Sequence, residues 1–250
     1  MQRQDYEDLF KLEGDYWWFA GMRAIAAALL DPVCRNGRRL RMLDAGCGTG
    51  QNLSWLQRYG DPQSIFGVDY SAVALSFSRQ RGQRLLAQAS VTALPFVEES
   101  FDLVTCFDVI CHLPDDGSDE LALAEFNRVL KRGGRLYIRV PAYQWLHSTC
   151  DVVLGVPHRY SLSELSDKLE QAGFRLERAS YANTLLFPVA ALIRMLKRIN
   201  IGNTGSDVKP LSYTQLNSPL RLMLELEARY LKVPAASLPY GLSVICLAEK

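Results

Sequence analysis

Apolar positions change period several times along the chain. From Asp5 to Val33 the run DYEDLFKLEGDYWWFAGMRAIAAALLDPV sets Leu9, Leu12, Trp17, Phe19 and Ile25 in a mixed helical pattern, and Asp31-Pro32 is expected to stop the helix. After it, short apolar runs alternate with helical ones. RMLDA, SIFGVD, RLLAQAS, FDLVTCFDVI and RLYIRVP read as strands. Between them GQNLSWLQRYG, SAVALSFSRQRG and SDELALAEFNRVLKRGG read as helices, the last stopping at Gly133-Gly134. SLSELSDKLEQAGF is a further helix, opened by a capping box of Ser161 and Glu164. FRLERASYAN and SVICLAEK close the pattern as strands. This alternation predicts an α/β fold: a doubly wound parallel sheet with helices on both faces.

About fifty residues before the last strand break the rhythm. TLLFPVAALIRMLKRI and LNSPLRLMLELEARYL are both helical in pattern, and the polar linker NIGNTGSDVKP between them is expected to be mobile. The whole chain reads as one domain. Residues 1–38 form a helical lid segment, 39–182 a ligand-binding core, 183–238 a helical insertion and 239–250 the last strand.

Composition narrows the classes. The 250 residues are 48% hydrophobic, enough for a full core. Lys+Arg total 28 against 27 for Asp+Glu, so no basic excess points to nucleic acid. Six cysteines without a C-x-x-C pair, and three histidines, give no zinc pattern, and no metal is expected. MQRQDYEDLF has no apolar signal core, which predicts a reduced, cytoplasmic protein with buried thiols.

The chemistry gathers at LDAGCGTGQN. No Gly-Lys-Ser/Thr follows, so it is not a P-loop, and its G-x-G-x-G spacing misses the dinucleotide fingerprint. Asp69 closes the second strand about twenty-five residues after Asp44, where an acidic residue faces the crevice and accepts bonds from ribose hydroxyls. Asp44 stands beside the loop, where it would repel a pyrophosphate and welcome an ammonium. That favours an aminoacyl nucleoside over a dinucleotide.

LDAGCGTGQN, VDYS, LPFVEESFDLVTCFDVICHL and RVLKRGGRLYI, in this order, resemble the motifs of class I S-adenosylmethionine-dependent methyltransferases. The resemblance covers roughly Leu40 to Pro141. It implies a Rossmann-like sheet of seven strands with the last antiparallel, S-adenosyl-L-methionine as cofactor and S-adenosyl-L-homocysteine as product. It places Asp44, Gly46 and Gly48 around the methionine part, Asp69 on the ribose and Tyr70 beside the adenine. Asp108 and Val109 would lie near the sulfonium, with Ile110 on the same floor. Where the family often has an acidic residue for the adenine amino group, this chain has Ser90, whose hydroxyl accepts the same bond. Cys47 is assigned no chemistry, and Asp102 is read as orienting a strand start.

YWWFAGMRAI sets Trp17 and Trp18 about 100° apart on a helix, so that one can be buried while the other faces a crevice or a partner. An aromatic face attracts a sulfonium, and Arg23 can pair with a carboxylate. The bland alternative is ordinary helix packing. Similar Trp-Trp-Phe…Arg openings occur in bacterial methyltransferases, several of them tied to glycan or secondary-metabolite pathways. The acceptor side offers His112, Tyr143, His147, His158 and Tyr160, with His112 and His158 as candidate catalytic bases. Methylation of a small or medium-sized acceptor is expected, on oxygen in preference to nitrogen or carbon. The alternatives are a non-catalytic cofactor-binding scaffold and a nicotinamide-dependent oxidoreductase. The insertion, with Arg194, Lys197 and Arg198 at one helix end, reads as a lid or dimer helix ahead of a membrane-surface helix. Monomer and homodimer both stay open.

Overall fold

The computed structural model describes residues 3–34, 39–114, 116–199 and 214–250. The linker Asn200–Pro210 lies outside the described residues. The chain opens with α1 (Arg3–Leu12) and α2 (Trp17–Cys34). Strands and helices then alternate: β1 (Met42–Ala45), α3 (Gln51–Leu56), β2 (Ile65–Asp69), α4 (Ala72–Gln80), β3 (Leu86–Gln88), β4 (Phe101–Phe107), α5 (Ser118–Val129) and β5 (Leu130–Pro141). After them come α6 (Thr149–Leu154), α7 (Leu162–Gln171), β6 (Arg175–Ala182), α8 (Phe187–Ile199), α9 (Thr214–Leu231) and β7 (Ser243–Glu249).

The seven strands form one sheet in the order β3-β2-β1-β4-β5-β7-β6. β7 runs antiparallel to both β5 and β6, and the other strand pairs are parallel. The order reverses between β1 and β4, so their carboxyl ends open a crevice at the switch point. Strand periodicity sorts the side chains. Leu43, Val104, Ile138 and Cys246 join one buried cluster with α5 and α7. Met42, Leu103, Tyr137 and Ile245 join another with α2, α3 and α9. Asp44, Thr105 and Arg139 alternate with the first set and so share the face that α2 covers.

The structure corrects three sequence expectations. Pro32 does not stop α2, which runs to Cys34. Leu29, Leu30 and Cys34 are buried, so the last turn keeps its helical path although Pro32 donates no hydrogen bond. The break falls earlier, between Leu12 and Trp17, where the Arg23 guanidinium donates to the Glu13 and Gly14 carbonyls. α5 ends at Val129, not at Gly133-Gly134. Leu130 pairs with Phe101 and Arg135 with Leu103, so Lys131 to Gly134 bulge out opposite Asp102 within β5. Asp102 holds that corner: it accepts from the Arg41 amide and from Lys131 Nζ. The capping box of Ser161 and Glu164 forms as expected. The insertion divides in two. Leu224, Ala228 and Leu231 of α9 are buried with α2, which approaches so closely that a Cβ on Gly21 would lie 2.4 Å from Leu224 Cδ1. Glu227 of α9 accepts the amides of Asn183 and Leu185, tying the start of the insertion to its end. α8 lies beside the loop after β5, where Arg194 donates to Leu146 O.

Candidate functional site

The glycine loop turns sharply after β1 because two amides fold back onto one carbonyl. Gly46 N and Cys47 N donate to Val68 O at 2.7 and 2.8 Å. Gly46 has φ +82° and Gly48 φ +54°, a region L side chains rarely adopt. The two glycines answer different needs. A Cβ on Gly46 would lie 2.2 Å from Val109 Cγ2, so this residue permits close packing against the end of β4. A Cβ on Gly48 would meet nothing within 4 Å, so open space lies there.

Asp44 is buried, 1% exposed. Its Oδ1 accepts from Thr105 Oγ1 at 2.8 Å, and its Oδ2 is buried with no partner. Burial drives its pKa up to about 7 against the Thr105 bond, and the carboxylates of Asp69 and Glu13 push the same way. Asp69 is oriented by two amides, Gly48 N on Oδ2 and Ser71 N on Oδ1, both at 2.8 Å. Burial raises its pKa, opposed by those amides and by His112. A buried acceptor without a donor next to an open glycine turn is a cradle for a cationic, hydroxyl-bearing ligand, and it fits the aminoacyl nucleoside expected from the sequence.

Asp108 has φ +56° and accepts from Arg139 Nε and Nη2 at 2.9 and 2.6 Å. Arg139 is 5% exposed and is held over the rings of Trp18 at 4.8 Å and Phe107 at 5.3 Å. Asp108 raises the Arg139 pKa against its burial. Trp18 therefore faces the crevice side. The Trp17 amide donates to Asn217 Oδ1 of α9 at 2.6 Å, and its indole Nε1 is buried without a partner. Arg23 spends its guanidinium on the Glu13 and Gly14 carbonyls. It shapes the segment between α1 and α2 instead of reaching into the crevice.

Several expected site residues bond elsewhere. Tyr70 is 80% exposed beside Asp69. Ser90 Oγ is engaged with Thr92 Oγ1 and the Thr92 amide in its own turn. His158 Nε2 meets Glu164 Oε1 at 2.6 Å inside the cap of α7, and Tyr160 donates to Asp119. His147 Nε2 bonds Val156 O. His112 Nδ1 bonds Gly155 O at 2.8 Å, which makes Nδ1 the protonated nitrogen and leaves Nε2 a lone pair. Past β5, Tyr143, Trp145, Tyr181, Phe187 and Tyr240 form a linked aromatic shelf with ring separations of 5.0 to 6.1 Å.

Sequence reasoning missed the groups that complete the site. Glu13 accepts from Thr49 Oγ1 and pairs with Arg81 Nη2 at 3.5 Å, closing the end of α1 over the glycine loop. Burial raises the Glu13 pKa against both partners. Arg81 also donates to Thr49 O and Phe10 O. Nothing in the Glu13 pattern signals this. Arg139 did leave a trace, a lone charge between Ile138 and Val140 in an apolar strand. A separate pocket among Val33, Leu40, Asp102, Lys131 and Arg135 lies at the amino ends of β1 and β4, away from the crevice, and Lys131 and Arg135 are paired with Asp102 and Glu177.

Comparison with known proteins agrees with this geometry. Residues 43–138 match the family model described as a methyltransferase domain. A protein of Mycolicibacterium smegmatis named a probable S-adenosylmethionine-dependent methyltransferase is 30% identical over 139 residues, 54% of this chain and 52% of that protein. The demethylmenaquinone methyltransferase of Lactiplantibacillus plantarum is 29% identical over 168 residues, 54% of this chain and 70% of the relative. The chain spans about half the length of the first curated relatives it matches, 44% and 52%. Among solved structures, an S-adenosylmethionine-dependent methyltransferase from Mesorhizobium loti superposes with a TM-score of 0.59 at 17% identity, over 92% of this chain and 98% of that one. With its seven-stranded sheet, its glycine cradle and its matched segment, the chain carries a class I S-adenosylmethionine-dependent methyltransferase domain.

Proposed function

We propose that the protein transfers a methyl group from S-adenosyl-L-methionine to an oxygen of a small or medium-sized acceptor. The observation that carries this reading is Asp44 Oδ2, buried without a donor beside the open space at Gly48. Asp44 would take the ammonium of the methionine part, and the free lone pairs of Asp69 would take the ribose hydroxyls. When bound, the cofactor supplies an electrophilic sulfonium methyl for in-line displacement. The chain's own groups do the rest. Trp18 and the Arg139–Asp108 pair wall the crevice, and the segment from α1 to α2 excludes water from it. His112 is the base of this reading: its Gly155 bond fixes the tautomer, and Nε2 can accept the proton of an acceptor hydroxyl. His158, turned to Glu164, holds the cap of α7. The aromatic shelf from Tyr143 to Tyr240 forms the acceptor side and suits an acceptor with an apolar or aromatic body. Six buried cysteines, none of them in a disulfide, suit the reducing cytoplasm.

Calorimetry with S-adenosyl-L-homocysteine and with NAD tests the cofactor half, and binding of NAD alone would overturn it. Transfer of labelled methyl to a panel of hydroxyl, amine and carbon acceptors tests the other half. His112→Gln is expected to lower kcat about 100-fold or more, the usual scale of a lost base, with homocysteine-product affinity unchanged. A wild-type kcat and pH profile in that variant would remove His112 from the mechanism.

A further inference from the structure

α8 is sparsely covered along its described side chains. Ala191 is buried and Phe187 and Arg194 are partly covered, at a spacing of four and three residues that makes one narrow contact face. Arg194 fixes that face by donating to Leu146 O and pairing with Asp151 of α6 at 3.1 Å. Four apolar side chains of the helix face solvent: Val189 is 60% exposed, Leu192 57%, Ile193 47% and Met195 53%. On α6, Val152 and Val153 directly after Asp151 are exposed as well, so the patch continues across the bridge.

Charge decides what fits this patch. Between Glu177 and Asp207 the sequence has no acidic residue, while Lys197 and Arg198 follow the Asp151-paired Arg194 in the last turn of α8. A two-fold contact with a second copy would set each cation-rich helix against its own copy. A surface of anionic lipid offers the complement to both features, apolar depth for Leu192 and Ile193 and negative charge for the cations. With 13 residues α8 is about 20 Å long, which suits a helix lying in the interface. No described helix is long and apolar enough to cross a membrane. The membrane-facing side would adjoin the aromatic shelf through Phe187, whose ring lies 5.7 Å from Tyr143 and 5.4 Å from Tyr240.

We propose that α8, with the exposed valines of α6, is a docking surface for an anionic lipid bilayer. The docking does not depend on the acceptor reading above; it adds that an acceptor held in the bilayer would meet the shelf from α8.

Co-sedimentation of the full chain with vesicles tests it, using phosphatidylcholine alone and phosphatidylcholine mixed with phosphatidylglycerol. Binding to the mixed vesicles is expected, weakened by salt and by omission of the anionic lipid. The double variant Leu192→Glu/Ile193→Glu is expected to lose about tenfold or more in vesicle affinity, and Lys197→Glu/Arg198→Glu a comparable amount, the scale of a few interfacial charges. S-adenosyl-L-homocysteine binding should stay at the wild-type value in both, which separates this test from that of the methyl-transfer reading. The proposal is overturned by absence of binding to the mixed vesicles or by equal binding of wild type and variants. It is also overturned by a concentration-dependent dimer that the first variant abolishes, which assigns the face to a second copy. A large drop in the lipid-free melting temperature of Leu192→Glu/Ile193→Glu would assign the face to the chain's own interior, with the same consequence.

Discussion

Asp44 has a carboxyl that folding holds near pKa 7 while the ordinary value is 3.8, and burial is the main cause. Above pH 4 the unfolded chain ionises this group and the folded, ligand-free protein resists it. The group's contribution to stability is therefore full below about pH 4 and is lost as pH rises through about 7. Asp44→Asn removes the ionisation. The ligand-free variant should match wild type near pH 4.5 and exceed it at pH 8, by on the order of a few kcal/mol. The same variant should bind S-adenosyl-L-homocysteine at least about tenfold more weakly, because a hydrogen bond to a charged group is worth roughly 1.5–3 kcal/mol. Wild-type affinity should fall as pH drops below about 7, with proton release on binding. Melting curves at the two pH values decide; an equal loss of stability at both would mean that Asp44 is structural. The glycines give a second contrast. Gly46→Ala must push Val109 aside and should destabilise the protein, whereas Gly48→Ala bears only backbone strain and should fold yet bind the ligand poorly. Melting and calorimetry on both variants check this, and normal binding by Gly48→Ala would show that the open space is not the ligand's. The places of Asp44, Asp69 and the glycines were legible because strand ends and a sharp positive-φ turn each leave a residue type at a fixed spacing. Thr105, Arg139 and Glu13 were not, because a threonine, an arginine or a glutamate fits many surroundings and only the folded chain brings them to the crevice.

At the scale of elements, α2 carries two adjacent tryptophans that point different ways, as the helical angle requires. The backbone amide of Trp17 is tied to Asn217 of α9 and its ring packs on the cluster that α2 and α9 share, while Trp18 lies against Arg139. Trp18→Ala uncovers the Arg139–Asp108 pair and should weaken cofactor-product binding while keeping most of the melting temperature. Trp17→Ala removes a partly buried ring packed on the cluster that α2 and α9 share and should cost about 3–5 kcal/mol if its site stays open, less if it collapses. Arg23→Ala frees the Glu13 and Gly14 carbonyls and should loosen the segment that carries Glu13 to Thr49, so its binding defect is indirect. Thermal melts with and without S-adenosyl-L-homocysteine separate the cases. If both tryptophan variants lose stability alike and bind alike, α2 is ordinary core. The angle between the tryptophans could be read from the chain, but their neighbours could not. α9 enters from two hundred residues away, and no local pattern records which helix it meets. For the same reason Pro32 was misread, since the burial of Leu29, Leu30 and Cys34 that holds the last turn is a tertiary fact.

For the whole molecule, alternation along the chain marks the strands and the doubly wound class, the resemblance to the methyltransferase family adds the antiparallel last strand, and the folded chain supplies the strand order. What alternation cannot give is how firmly each layer is attached. α2 buries nine residues, among them Met22, Ile25 and Leu30, whereas α1 buries none. α1 is held by polar and edge contacts: Arg81 donates to Phe10 O at 2.6 Å and stands 4.1 Å from the Phe10 ring, Phe10 meets Phe77 at 5.3 Å, and Glu13 takes the Thr49 hydroxyl. An element attached this way opens at a small fraction of the global unfolding cost. Thr49 lies on the glycine loop itself and donates to Glu13 at the end of α1, so a ligand that orders the loop also favours the closed position of α1. Hydrogen exchange should therefore show α1 amides exchanging much faster than those of α2 in the free protein. S-adenosyl-L-homocysteine at about a hundred times its Kd adds roughly 2.7 kcal/mol to the bound state. That gain should slow exchange in α1 and in residues 46–50 first, with the interior of β1, β4 and β5 changing only as global unfolding does. Glu13→Gln should shrink the ligand-induced protection of α1 without altering β4. If α1 is as protected as α2 without ligand, or if ligand leaves it unchanged, the helix is a fixed part of the wall and closure over the crevice is excluded.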